Sequence, residues 1–428
     1  MSILDYIDAS PSPYHAVAET VAKLESAGFM GLSEAGPWNM EPGKSYYTTR
    51  GGRTVLAWRM GMTAPNESGV RILGAHTDSP VLKIRPNPDL KGRDMSLLTT
   101  EVYGGPLLYT WLDRDLKLSG AVYLKGDKGP DVRLVDLNDM RFRVNSLAIH
   151  LRQEKGSDTH KINRHKDLPL MFSGPVGSSK AAMLDVLAQH VGAKPDDILE
   201  FDLSLADHMP SAYAGKDEEF ISAPRLDNLF SCYTALEAFL AAPKEPRSTQ
   251  FICFYDAEEI GSLTWAGARS DGFTAALNRI AHSYGLSADE EAQARARSIF
   301  ISADMAHAEH VSFKDATDSE HVPDLNGGLA LKSAARGNYA IGYPAAAWFR
   351  QVCGEAGVPL QSFMYRCDHG AGSSIGPLVT TGSGICGIDV GAPLLAMHSI
   401  RELAGTRDVA LCIDAYKAFF ASELPFEG

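Results

Sequence analysis

Two imidazoles, His76 and His398, and three carboxylate positions, Asp227, Asp304 and the Glu258-Glu259 pair, are the side chains of this sequence whose types suit metal chemistry. Imidazole nitrogen with carboxylate oxygen fits divalent ions, imidazole favours zinc, and a carboxylate can bridge two ions. Paired ions stabilise the attacking and the leaving oxygen of a displacement together. Adjacent acids such as Glu258 and Glu259 repel one another at an apolar strand end unless a cation is near; one can ligate while its neighbour takes a proton from water. Taken singly, each residue has an ordinary reading. His76 and Asp78 are a turn imidazole and a cap, the glutamates a solvated turn, Asp304 a helix cap, and His398 a cap or a packed ring. Their spacing is not a compact motif, and it is their shared placement that argues for a site.

That placement comes from the elements around them. Strands are expected at Thr54–Trp58, Val70–Ala75, Phe251–Tyr255, Ile299–Ile301 and Ile385–Ile388, and helices at Tyr14–Ala27 and Asn228–Leu240. In an open α/β sheet functional groups gather past the carboxyl ends of the strands. Three of these strands run into His76-Thr77-Asp78, Asp256-Ala257-Glu258-Glu259 and Asp304-Met305-Ala306-His307. The alternation implies an α/β fold, a mostly parallel sheet flanked by helices. Between about Pro86 and Phe220 the texture changes to short β-like runs such as Ala121–Leu124 and Val132–Val135, broken by Gly, Asp and Pro. We therefore expect a catalytic domain in two parts, 1–85 and 221–428, with an inserted β-rich domain at 86–220.

A chain of 428 residues is long enough for two or three domains, and 45% hydrophobic with 22% charged residues is an ordinary globular balance. A formal charge of −13 argues against a general nucleic-acid partner. The one basic stretch, Lys155–Lys166, has no Phe, Tyr or Trp and reads as a solvated loop. Six scattered cysteines without a C-x-x-C pair disfavour a disulfide scaffold and a structural zinc module. The first residues lack a basic region followed by an apolar run, and no stretch approaches a membrane span. The expectation is a cytoplasmic protein with no membrane partner.

Six ordered segments carry a resemblance that covers nearly the whole chain: Ala75-His76-Thr77-Asp78-Ser79-Pro80, Leu147-Ala148-Ile149-His150-Leu151, Arg225-Leu226-Asp227-Asn228, Asp256–Ser262, Asp304-Met305-Ala306-His307-Ala308 and Ala396–Glu402. The sequence resembles the aspartyl aminopeptidase family of di-zinc metallopeptidases, as a bacterial member. The resemblance implies two divalent ions per subunit, zinc favoured. Asp227 would bridge them, His76 and Asp304 complete one site, and Glu259 and His398 the other. Glu258 becomes the general base toward a metal-activated water, and Asp78 orients the His76 imidazole. The implied activity is release of single N-terminal residues, Asp or Glu, from peptides.

The same resemblance makes the inserted domain a dimerisation domain, builds dimers into a dodecamer, and brings His150 to the active site of a neighbouring subunit. His307, Lys332 and Tyr339 match positions around the substrate's first residue. Read without it, His150 is a core histidine, Lys332 a surface lysine and Tyr339 a half-buried aromatic. Cys367–Pro377 departs from the eukaryotic pattern, and some relatives prefer neutral or apolar first residues. Three other readings stand beside this one: a family member preferring neutral or basic residues, a carboxypeptidase or amide hydrolase of the same architecture, and a catalytically silent assembly or cargo protein.

Overall fold

The computed structural model describes residues 1–92, 95–151, 161–174 and 182–428. Its centre is a nine-stranded sheet in the order Met30–Gly31, Ser45–Arg50, Thr54–Arg59, Thr249–Tyr255, Val70–His76, Ile299–Ala303, Cys386–Gly391, Leu329–Ser333, Leu360–Met364. The four middle strands, from Thr249–Tyr255 to Cys386–Gly391, run parallel. Val70–His76, Thr249–Tyr255 and Ile299–Ala303 are buried at every position. This is why they read as unbroken apolar runs: both faces of a parallel sheet are covered.

Alternation along the strands divides the side chains between two cores. Leu73, Ala75, Ile252, Phe254, Ile299 and Ile301 face one core, with helices Leu226–Ala241, Tyr343–Glu355 and Thr406–Ala421. Ile72, Phe251, Cys253, Tyr255 and Phe300 face the other, with Gly272–Ser283 and Ile375–Ser383. The mixed α/β architecture expected from the sequence is present, and the expected helices appear as Pro13–Ser26 and Leu226–Ala241.

A second sheet of six antiparallel strands runs in the order Asp131–Asp136, Leu116–Leu124, Ile198–Asp207, Val81–Lys91, Ser96–Tyr103, Leu170–Ser173. It has its own core, Leu82, Leu98, Leu118, Val122 and Leu203 among them, closed by Met183 and Leu187 of helix Met183–Val191. All its strands lie between Val81 and Asp207; Ala212–Ala214 and Phe220–Ala223 instead join a five-stranded sheet with Glu402–Gly405, Pro393–Leu395 and Ala306–His307. Of the basic stretch, residues 155–160 lie outside the described residues. Lys161 and 163–166 are exposed, and Asn163 Oδ1 accepts the main-chain N–H of His165 and Lys166 as a local turn. Among the described residues no helix is long and apolar enough to cross a membrane. All six cysteines are free.

Candidate active site

Parallel register fixes where the first residues meet. Tyr255 pairs with His76, and Ser302 pairs with Gly74 on the other side of the same strand. The carboxyl ends of three neighbouring strands therefore deliver His76, the Asp256–Glu259 turn and Asp304 to one edge of the sheet. Asp304 is held by strand Cys386–Gly391: its N–H donates to Val390 C=O at 2.9 Å, and a Cβ added to Gly391 would lie 1.9 Å from its carbonyl oxygen. No helix follows Asp304, so it caps nothing. Glu258 and Glu259 occupy a single turn, Glu258–Ile260, between Ala257 and Gly261 in left-handed conformations. Asp227 enters from the first turn of helix Leu226–Ala241, where the Asp227–Asn228 peptide is cis. Ser79 Oγ donates to its carbonyl at 2.8 Å. His398 arrives on a turn closed by Ser399 N–H on Ala396 C=O.

These residues converge on Asp227. His76 Nε2 lies 3.5 Å from Asp227 Oδ1 and 3.9 Å from Asp304 Oδ1. His398 Nε2 lies 3.5 Å from Asp227 Oδ2 and 3.4 Å from Glu259 Oε1. The two imidazoles thus address different oxygens of one carboxylate. Ligands bonded to one tetrahedral zinc at about 2.1 Å stand about 3.4 Å apart, farther than good hydrogen-bond partners. Asp227 Oδ1 and Glu259 Oε1 are buried with no hydrogen-bond partner. Such orphaned acceptors are expensive unless a cation satisfies them. Two groups that share Asp227, His76–Asp227–Asp304 and Asp227–Glu259–His398, bring their donor atoms within 4.8 Å of one another. The residues present therefore fit divalent metal.

Each imidazole is oriented through its other nitrogen, as is usual beside metal. His398 Nδ1 is 3.1 Å from the Gly105 carbonyl. His76 Nδ1 is 3.0 Å from the main-chain carbonyl of Asp78, while the Asp78 carboxylate oxygen stands at 3.5 Å. Asp78 thus meets His76 mainly through its backbone. Its carboxylate instead accepts Glu258 N–H at 3.0 Å, Glu259 N–H at 3.1 Å and Tyr103 O–H at 2.8 Å. Burial raises the Glu258 carboxyl well above its ordinary range, with Asp304, Glu259 and Asp78 adding and His76 opposing. A divalent cation among these acids would oppose that shift and favour the ionised carboxylate.

The family described as Aminopeptidase I zinc metalloprotease (M18) matches residues 6–420. A probable M18 family aminopeptidase 2 of Pseudomonas aeruginosa is 38% identical over 428 residues, covering 99% of this chain and 98% of that one. This chain belongs to the M18 family of zinc aminopeptidases. Among solved structures, Ape4 in its complex with Nbr1 superposes with a TM-score of 0.94 at 31% identity, covering 98% of this chain and 84% of that chain. The S. cerevisiae mApe1 dodecamer superposes with a TM-score of 0.86 at 27% identity, covering 98% and 96%. The M18 chain is accordingly a hydrolase of N-terminal peptide bonds.

In this M18 chain the triads and Glu258 line one cleft. His307, Lys332 and Tyr339 line the same cleft. Lys332 is only 2% exposed, with Nζ 3.8 Å from Asp304 Oδ2 and 5.0 Å from the Tyr339 ring centre. It is no surface lysine. His307 Nε2 meets the Tyr365 hydroxyl at 3.0 Å, and Tyr365 stacks on Tyr339. Burial pushes the His307 imidazole down to about 4, with Lys332 adding to the shift, so the ring is neutral. Gly372, Ser373 and Ser374 form part of the wall.

His150 is not brought to this cleft. It sits exposed in the short turn Ile149–Leu151, beside exposed Ile149 and Leu151. It is therefore no core histidine within one chain. Several contacts escaped the sequence. Tyr103, Tyr365 and the Gly105 carbonyl carry no local signal, because tertiary packing alone places them. Glu402, an acid four residues past His398, is a further buried carboxylate beside the site.

Proposed function

We propose that this chain is a two-zinc aminopeptidase that releases single N-terminal residues, Asp or Glu preferred, with Glu258 as general base. The observation that carries the reading is the pair of triads joined at Asp227, with the Glu258 carboxyl beside them. His76, Asp227 and Asp304 would hold one ion, and Asp227, Glu259 and His398 the other. Bound there, zinc supplies Lewis-acid charge that eases deprotonation of water and stabilises developing negative charge on oxygen. Glu258 takes the proton of the attacking water and returns it to the leaving amine. The carboxylates around the cleft also suit the free ammonium group of a peptide, which accounts for removal of one residue at a time.

Acidic preference rests on Lys332, a cation among the residues lining the cleft with His307 and Tyr339 beside it. A buried ammonium rewards a carboxylate that reaches it and leaves an apolar side chain unpaired. The six-stranded sheet and the segments around it, taken as an inserted domain over 86–220, would form the dimer contact, with dimers assembling as in the dodecamer of the yeast relative. The exposed position of His150, away from its own cleft, suits a residue that serves a neighbouring subunit.

The deciding assay presents zinc-loaded protein with peptides beginning in Asp, Glu, Leu, Lys or Ala, beside Glu258→Gln and chelator controls. Release of Asp and Glu first, lost in both controls, is expected. Faster release of Leu or Lys would overturn the acidic preference. No release from any peptide with zinc bound would favour a silent assembly protein.

A further inference from the structure

We infer that Glu402 is a positioning residue that sets the half of the site formed by Asp227, Glu259 and His398; this rests on the two-zinc reading above. Glu402 Oε2 accepts the main-chain N–H of Asp227 at 2.9 Å, and Oε1 accepts that of His398 at 2.7 Å. One carboxylate therefore ties together two residues, Asp227 and His398, that lie far apart in the sequence. It is 3% exposed and does not line the substrate cleft. Glu402 acts through Asp227 and His398 and touches no substrate.

The need for such a tie is specific to this half. His76 ends a strand of the nine-stranded sheet and Asp304 follows one, so ladder hydrogen bonds hold them. His398 has no strand beneath it, and its φ of +66° lies in a region that residues with a Cβ rarely occupy. Three contacts keep it there: Glu402 on its N–H, Leu107 N–H on its carbonyl at 2.9 Å, and the Gly105 carbonyl on Nδ1. Gly105 and Leu107 belong to the segment that leaves strand Ser96–Tyr103 of the other sheet. Glu402 is thus the link that references His398 to Asp227 within the catalytic layers. Its own strand is anchored by Arg401, which pairs with Asp207 at 3.1 Å and donates to Ser222 Oγ at 3.1 Å.

A buried carboxyl whose two oxygens each accept a main-chain N–H fixes the direction of both contacts. Partners that orient ligands in this way typically change metal affinity ten- to a hundredfold when removed. The test counts zinc per chain in free-zinc buffers for wild type and Glu402→Gln, with peptidase activity followed in parallel. The amide keeps the shape of Glu402 but turns an NH2 toward one of the two N–H donors. Wild type should hold two ions. Glu402→Gln should hold one at a free-zinc level that fills both wild-type sites, and should regain the second ion and its activity when free zinc rises about ten- to a hundredfold.

Glu402→Asp, able to keep one of the two bonds, carries the same test and the same expected direction should the Gln variant not fold. A variant with two ions and wild-type zinc dependence, or with lost activity that no zinc level restores, overturns the role of Glu402 and leaves the two-zinc reading standing. A wild-type chain that takes up only one ion overturns that reading, and the inference with it.

Discussion

Asp78 Oδ1 accepts the main-chain N–H of Glu258 at 3.0 Å, so the residue after the first strand holds the turn that follows the second. The other oxygen accepts Glu259 N–H and the Tyr103 hydroxyl. Asp78 therefore sets where both glutamates stand. Asp78→Asn presents an amide NH2 to these donors, and hydrogen bonds to charged groups contribute about 1.5–3 kcal/mol each. We expect kcat to fall by roughly ten- to a hundredfold at saturating zinc. An unchanged kcat under those conditions would show that the turn keeps its place without the carboxylate.

Gly391 packs against Asp304 without room for a methyl group, since an added Cβ would lie 1.9 Å from the Asp304 carbonyl oxygen and 2.9 Å from Ala306 N. Both neighbours are backbone. Gly391→Ala must push apart the strand end that carries Asp304, and overpacking of this kind costs about 1–3 kcal/mol. Urea denaturation should show the loss, and zinc binding should weaken with it. A variant as stable as wild type would mean that the strand end yields easily.

Lys332 is buried beside Asp304 and Tyr339 in the cleft, and Lys332→Met removes its charge while keeping most of its bulk. Loss of one charged contact predicts roughly ten- to a hundredfold lower kcat/KM on an Asp peptide. The Leu peptide should gain relative to it. Equal losses on both peptides would place Lys332 in the structure of the site and not in its selectivity.

Burial pushes the His15 imidazole down from its ordinary 6.5 to about 4, with Asp136 opposing and Lys117 and Arg225 adding to the shift. Its Nδ1 meets Ser12 Oγ at 2.8 Å, away from the metal triads. Between those two values the folded chain binds fewer protons at this residue than the unfolded chain. The stability it contributes is therefore complete above about 6.5 and is lost as pH falls toward about 4. Denaturation midpoints of wild type should drop more steeply over that window than those of His15→Gln. Parallel curves for the two proteins would show that His15 is not held neutral in the fold.

Much of this was legible in the sequence, for identifiable reasons. Strands such as Val70–His76 and Thr249–Tyr255 announce themselves because a parallel sheet buries both faces, leaving continuous apolar runs that end in His76 and Asp256. The ligating types at those ends, with Asp227 and His398, were visible as residues, and the structure supplied their common centre. Lys332 looked like a surface lysine because nothing local reveals that strand Leu329–Ser333 lies inside the sheet, next to Cys386–Gly391. The Asp78 carboxylate was expected on the His76 ring. It stands 3.5 Å from His76 Nδ1, with the Asp78 carbonyl closer at 3.0 Å, and the same carboxylate also holds the glutamate turn. Tyr365 and Gly105 could not be found from sequence, since only the folding of distant segments brings them to His307 and His398.

In the proposed site two zinc ions share Asp227. Anomalous scattering from crystals of the zinc-loaded protein, measured on either side of the zinc absorption edge, would locate them. Two zinc peaks per chain are expected, one among His76, Asp227 and Asp304 and one among Asp227, Glu259 and His398. A single peak, or two peaks that do not share Asp227, would contradict this arrangement.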